Sequence, residues 1–263
     1  MTHRVERFKT ALAQKQAVKA IAGIANFDLE NILAVARAAE ATGTDALDVA
    51  ARADIIAAVR LAAPSTFVFA SSVKPEELLA AVAAGADGVE LGNFDALYKE
   101  GLFYTYDDVL ALAEETVALV RQNPASKTLI SITIPGHLST DAQVVLAHKL
   151  EALGVDIIQT EGATRLLAAK QVKPLSAAEK AETTFANTAL LVSATRLPVM
   201  TASGLDANNV SRAFAHGASA VGIGSAINTL TRQSDMTRVL ASIVAQARSV
   251  HSALQQQVSA AGY

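Results

Sequence analysis

Short apolar runs, polar turns and amphipathic stretches alternate along the whole chain. Eight runs stand out: AVKAIAG (17–23), DALDVAA (45–51), FVFASS (67–72), ADGVELGN (86–93), TLISITIP (128–135), VDIIQTEG (155–162), PVMTASG (198–204) and AVGIGSAI (220–227). Uninterrupted apolar stretches of roughly four to eight residues are the pattern of strands buried on both faces. Between them, 28–42, 75–84, 106–122, 140–153 and 208–216 carry the spacing of amphipathic helices. Pro75 falls at a first-turn position, and Ser139 and Asp206 are suited to cap helices. Gly43, Gly85, Gly154 and Gly217 each end a helix immediately before a strand, where a left-handed residue is needed. One such turn occurs almost twice over, as AAGADGVELG (83–92) and AHGASAVGIG (215–224).

Eight strand–helix units fit a closed barrel or an open doubly wound sheet. Regular spacing, short strands and the absence of a G-x-G-x-x-G after the first strand favour the barrel. The expected fold is therefore α/β, a single (β/α)8 TIM barrel of the phosphate-binding type over residues 1–263. Two stretches interrupt the rhythm on the C-terminal side of their strands, where barrels carry function. One is FDALYKEGLFYT (94–105), rich in aromatics. The other, 163–182, contains Arg165, Lys170 and Lys173, and reads either as a surface excursion or as an anion-closing lid.

Length and composition agree with this picture. The 263 residues are close to the ~250 typical of the fold, and 51% of them are hydrophobic, enough for a large core. The net charge of −3 offers no electrostatic footprint for nucleic acid. There is no cysteine, hence no disulfide, thiolate metal site or thiol nucleophile. No apolar run approaches the length of a membrane span, and the polar N-terminus lacks the apolar stretch of a signal peptide. A cytoplasmic protein without membrane or nucleic-acid partners is expected, with homo-oligomerisation left open.

Two motifs suggest chemistry. TASGLDANN (201–209) and GIGSAIN (222–228) place glycines at the ends of strands seven and eight, the pair of loops that bind phosphate in many barrels. Glycine allows close approach of backbone amides to an anion. The expected phosphate contacts are Ser203, Gly204, Leu205, Gly224 and Ser225. Opposite them, ionisable residues on buried strands should face the lumen near its mouth, because facing the helix layer would cost desolvation. Lys19, Asp48, Glu90 and Glu161 are the catalytic candidates on this argument, and Ser71, Asn93, Thr133, His137, Gln159 and Thr201 are candidates to line the substrate. Parity pairs Gln159 with Glu161, Ser131 with Thr133, and Thr201 with Ser203. Lys19 reads either as a structural counter-ion or as an electrophile or Schiff-base amine, and His137 either as a solvated loop residue or as an acid/base group. No His-rich spacing accompanies the carboxylates, so no metal site is expected. His3, His148, His216 and His251 fall on the tail or on helices and read as structural.

Four strings together, IAGIANFD (21–28), GADGVELGNFDALYKEG (85–101), SITIPGHLSTDAQVVLAHKLEALGVDIIQTEG (131–162) and TASGLDANNVSRAF (201–214), resemble a family from cyanobacteria and algal plastids known as a hypothetical chloroplast reading frame. The resemblance covers nearly the whole chain. It implies a (β/α)8 fold and a cyanobacterial or plastid setting, and no activity. The last 30 or so residues of the barrel are more broadly similar to the ribulose-phosphate-binding barrels and to enzymes dependent on flavin mononucleotide (FMN) or inosine monophosphate. There, matching turns hold a ligand phosphate, which falls here on Gly204, Gly224 and Ser225. A thioimidate mechanism is excluded by the lack of cysteine. The expected function is binding of a phosphorylated small metabolite, as an isomerase or lyase; the alternatives are an FMN-binding oxidoreductase and a non-catalytic metabolite sensor.

Overall fold

The computed structural model describes residues 2–92, 94, 97–98, 101–123, 126–162 and 175–260. The strands are β1 Ala17–Gly23, β2 Ala46–Ala50, β3 Phe67–Ser72, β4 Gly88–Leu91, β5 Leu129–Thr133, β6 Ile157–Gln159, β7 Val199–Ala202 and β8 Ala220–Ile223. The helices are α1 Thr2–Ala13, α2 Leu29–Thr42, α3 Ala53–Ala62, α4 Pro75–Ala83, α5 Tyr106–Val120, α6 Thr140–Leu153, α7 Ala177–Ala194, α8 Val210–Ala215, α9 Ser225–Asn228 and α10 Gln233–Ala260. The strands form a closed barrel in chain order. All pairs are parallel, and β1 bonds both β2 and β8: Lys19 lies opposite Ala46 on one side and Gly222 on the other. That closure excludes the open sheet.

Local chemistry explains most boundaries. Asp28, Ser139 and Ser176 accept backbone N–H bonds at the starts of α2, α6 and α7, and Pro75 opens α4. All four glycines expected in the left-handed region are there, with φ from 65° to 99°. Two residues after three of them comes an aspartate: Asp45, Asp87 and Asp156. Each accepts the amide of the preceding strand's start, from Val18, Val68 and Ile130. Each also binds arginine: Arg248 to Asp45, Arg4 and Arg60 to Asp87, Arg121 to Asp156. Together these bonds brace the N-terminal rim of the barrel at alternate strands.

Two expectations need correction. Strand eight ends at Ile223, and 225–227, expected as its continuation, belong to the short helix α9. Asp206 caps a preceding turn by accepting from the Asn208 amide, while α8 begins four residues later behind Asn209.

The polar N-terminus hides a helix. Val5, Phe8, Ala11 and Leu12 share one face of α1 and close the bottom of the barrel against Phe67, Phe69, Leu129, Ile157 and Met200. Phe8 stacks on Phe67 with ring centroids 4.7 Å apart. Gly88 leaves room for this plug, because a Cβ there would meet Phe69 at 2.7 Å. Two further apolar clusters fill the space between the barrel and its helices, one under α2, α8 and α10 and one under α4, α5 and α6. The apolar plug shuts the lower end, so the upper end is left for polar side chains.

Candidate functional site

A cavity of about 410 Å³ opens over the C-terminal ends of the strands. Two of its walls are the loops expected to form the phosphate grip, Ser203–Leu205 after β7 and Gly224–Ser225 after β8. Thr133 of β5, Gln159 of β6 and Glu161 just beyond it line the same space. The β7 loop is held in an unusual shape. Ser203 has φ 88° and Gly204 φ 77°, and a left-handed serine is rare outside sites that the surroundings over-determine. Among the described residues no carbonyl accepts from the amides of Gly204 or Leu205. Ser225 opens α9, so its amide has no carbonyl one turn back in the helix.

The strand carboxylates and Lys19 sit deeper than expected. Lys19, Asp48 and Glu90 are fully buried and do not line the cavity. Lys19 Nζ lies 2.6 Å from Glu90 Oε2 and 5.1 Å from the centre of the Phe69 ring. Glu90 also accepts from Ser131 Oγ at 2.9 Å and from Gln159 Nε2 at 2.9 Å, and Gln159 further donates to Thr133 Oγ1 at 3.2 Å. Lys19 and Glu90 are therefore the layer beneath the cavity floor, one hydrogen bond below Gln159. Register is the reason. Lys19 pairs with Gly222, one inward position below the cavity-lining Gly224, and Asp48 pairs with Phe69 of the plug. Ser71 is bound to Asp48 in this buried layer and does not reach the cavity either.

Thr201 is also corrected. Its hydroxyl lies 2.8 Å from Thr188 Oγ1 on α7, so it faces the helix layer, while Met200 and Ala202 face inward. The VMTA strand is buried on both faces and shows no alternation from which the inward set can be read. Asn93 and the three basic residues Arg165, Lys170 and Lys173 lie outside the described residues.

Glu161 is where two regions of the chain meet. Its Oε2 accepts from the Tyr98 hydroxyl and from the Gly136 amide at 3.2 Å. Tyr98 OH also lies 3.1 Å from His137 Nδ1. The aromatics of 94–105 pack among themselves, Phe94 against Tyr104 and Tyr98 stacked on Phe103 at 4.8 Å. His137 meets Tyr98 and Phe103 edge-on and is half-buried. Burial pushes its imidazole below the ordinary histidine range, a hydrogen bond with the Tyr104 backbone opposing in part. Sequence reasoning missed Tyr98, although a tyrosine in an aromatic-rich loop on the functional side of β4 was a signal. It also missed Lys180, which lines the cavity from the first turn of α7; the Ser176-x-x-Glu179 capping box marks that helix start. Among the described residues no group of three or more His, Cys, Asp or Glu gathers in metal-binding geometry, and no helix is long and apolar enough to cross a membrane.

Fold and site define a class: a (β/α)8 barrel with a cavity built on the loops after β7 and β8. Solved structures of this shape include 3-hexulose-6-phosphate synthase, with a TM-score of 0.62 at 18% identity over 88% of this chain and 99% of that one. A KDPGal structure matches at TM-score 0.60 and 15% identity, covering 89% of this chain and 95% of that one. Thiamine phosphate pyrophosphorylase from Pyrococcus furiosus matches at 0.57 and 14%, covering 91% and 98%. At such identities the likeness shows the fold alone.

The chain belongs to the family described as protein of unknown function DUF561, which matches residues 3–253. Its relatives include the uncharacterized protein ycf23 of Cyanophora paradoxa, 34% identical over 91% of this chain and 95% of that protein. The ycf23 protein of Antithamnion sp. is 32% identical over 91% of this chain and 87% of its own length. This is the plastid reading-frame family that the IAGIANFD and IIQTEG strings resemble.

Proposed function

We propose that the protein is a cytosolic enzyme that binds a small phosphorylated metabolite and catalyses an isomerase or lyase reaction at its unphosphorylated end. The observation that carries this reading is that both glycine loops and Glu161 line one cavity. In it, the backbone amides of Gly204, Leu205, Gly224 and Ser225 and the hydroxyls of Ser203 and Ser225 hold the phosphate. Glu161 moves a proton at the far end, and Gln159 and Thr133 orient the substrate there. Lys19 and Glu90, beneath the floor, fix the Gln159 amide and act through it. Anchoring a remote phosphate orients the reacting atoms and supplies binding energy to the transition state. Fold neighbours named for sugar phosphates, such as 3-hexulose-6-phosphate synthase, lend support.

A thermal-shift series tests the reading with inorganic phosphate, glycerol 3-phosphate, pentose and hexose phosphates, and FMN. A ligand at ~100 times its Kd adds about 2.7 kcal/mol to stability, a clear rise in Tm. No shift with any phosphate compound would overturn the proposal. A shift with FMN alone, or a yellow purified protein, would replace it with the flavin reading.

A further inference from the structure

We infer that Lys180, in the first turn of α7, is the cationic ligand of the phosphate, and that the site is built for a small phosphate monoester bearing a hydroxyl or carbonyl group at its other end. The inference rests on the phosphate reading above and goes further, to a charge and a substrate class.

Lys180 and Glu161 are the charged side chains among the described residues that line the cavity. They come from different elements, Lys180 from α7 beside the β7 loop and Glu161 from the end of β6. A cavity lined by one lysine and one glutamate suits a ligand that carries both an anionic group and a hydrogen-bonding group. Gly204 and Leu205 line the same cavity, and Gly204 packs against the Lys180 turn of α7. Gln159 and Thr133, which line the same cavity, suit a hydroxyl or carbonyl.

The position of Lys180 is set by backbone packing on two sides. A Cβ at Gly204 would come within 2.4 Å of the Ala177 carbonyl, 2.6 Å of the Ala181 amide and 3.1 Å of Lys180 Cβ. A Cβ at Gly162 would come within 2.6 Å of the Lys180 carbonyl and 3.0 Å of Ser203 Oγ. The first turn of α7 thus lies directly against the loop that bears the amides, with glycine at both contacts because no side chain fits. The helix start is pinned as well: Ser176 accepts from the Glu179 amide and Glu179 accepts from the Ser176 amide at 2.8 Å. Lysine, a compact charge on a flexible stem, can follow a phosphate group without the fixed geometry an arginine fork would impose. A volume of about 410 Å³ falls at the small end of ligand pockets, in keeping with a short metabolite.

Calorimetric titration of the full chain with glycerol 3-phosphate, inorganic phosphate and glycerol tests the assignment in wild type, Lys180→Gln and Lys180→Arg. Wild type is expected to bind both phosphates and not glycerol. Losing a hydrogen bond to a charged group weakens binding by about 10- to 100-fold, and Lys180→Gln should do so for both phosphates. Lys180→Arg should recover most of the affinity, and binding to wild type should weaken with added salt. Thermal melts verify that the variants fold, as a half-buried side chain on a helix surface should allow. Wild-type affinity in a folded Lys180→Gln would overturn the role of Lys180 and leave the phosphate reading standing. Failure of wild type to bind either phosphate would overturn that reading, and this inference with it. Equal binding of glycerol and glycerol 3-phosphate would refute the monoester class.

Discussion

Gly204 and Gly224 should respond to the same substitution by different amounts and for different reasons. Gly204 has φ 77°, and a methyl group there would lie 2.4 Å from one backbone atom of α7 and 2.6 Å from another. Left-handed backbone costs an ordinary residue about 1–2 kcal/mol, and forcing atoms into a packed contact costs about 1–3 kcal/mol more. Gly204→Ala is therefore expected to destabilise the protein by about 2–5 kcal/mol and to lower Tm by roughly 5–15 °C. It should also displace the first turn of α7, and phosphate binding with it. Gly224 has φ −106°, and the nearest atom to a Cβ there is Ile21 Cβ at 3.9 Å. Gly224→Ala should cost less, about 1–2 kcal/mol: ψ −94° lies outside the broad allowed regions, but the methyl group meets no packed atom and intrudes on the cavity instead. Urea unfolding monitored by far-UV circular dichroism, with calorimetry on glycerol 3-phosphate, separates the two effects. The reasoning is refuted if Gly204→Ala unfolds at the wild-type midpoint, or if Gly224→Ala is as unstable as Gly204→Ala.

Three further predictions follow from the buried groups. Lys19→Met leaves the Glu90 carboxylate buried beside an apolar chain and should cost about 3–5 kcal/mol, and adding Glu90→Gln should recover much of it; urea midpoints of the single and double variants check this. His137 takes up a proton less readily in the folded than in the unfolded state, so its contribution is complete above its ordinary value of 6.5 and is lost as pH falls below it. Stability profiles of wild type and His137→Gln should accordingly diverge below that pH, and NMR titration of the ring should give a midpoint under 6.5; a midpoint above it would contradict the burial argument. Phe8→Ala empties the plug and should cost about 3–5 kcal/mol, read by thermal melting; a loss under about 1 kcal/mol would mean that α1 is not integral to the core.

Much of this molecule was legible in its sequence, and the reason is locality. Strands at 17–23 and 67–72 lie where their apolar runs predict, because a short run with turn residues at both ends has few other ways to bury itself. Gly43, Gly85, Gly154 and Gly217 take left-handed backbone because the helix end before each demands it. The phosphate-type loops could be located because counting strands places them after the seventh and eighth. Even α1 had a readable signal, in the spacing of Val5, Phe8 and Leu12 behind its charges.

Depth and direction were decided by the tertiary structure. Lumen-facing residues can be proposed from parity, but whether Lys19 and Glu90 reach the mouth depends on the stagger of neighbouring strands, which is a property of pairs and not of either strand. Thr201 faces α7 because a strand buried on both sides carries no alternation to show which side is inward. Tyr98 meets Glu161 across 63 positions of chain, and Lys180 meets the β7 loop because two glycines let a helix lie against it. The sequence by itself determined a barrel with glycine-bearing loops at the ends of its last two strands. What surrounds those loops, a carboxylate clasped by a tyrosine and a lysine on a seated helix, was settled by register and packing, which sum contacts far apart in the chain.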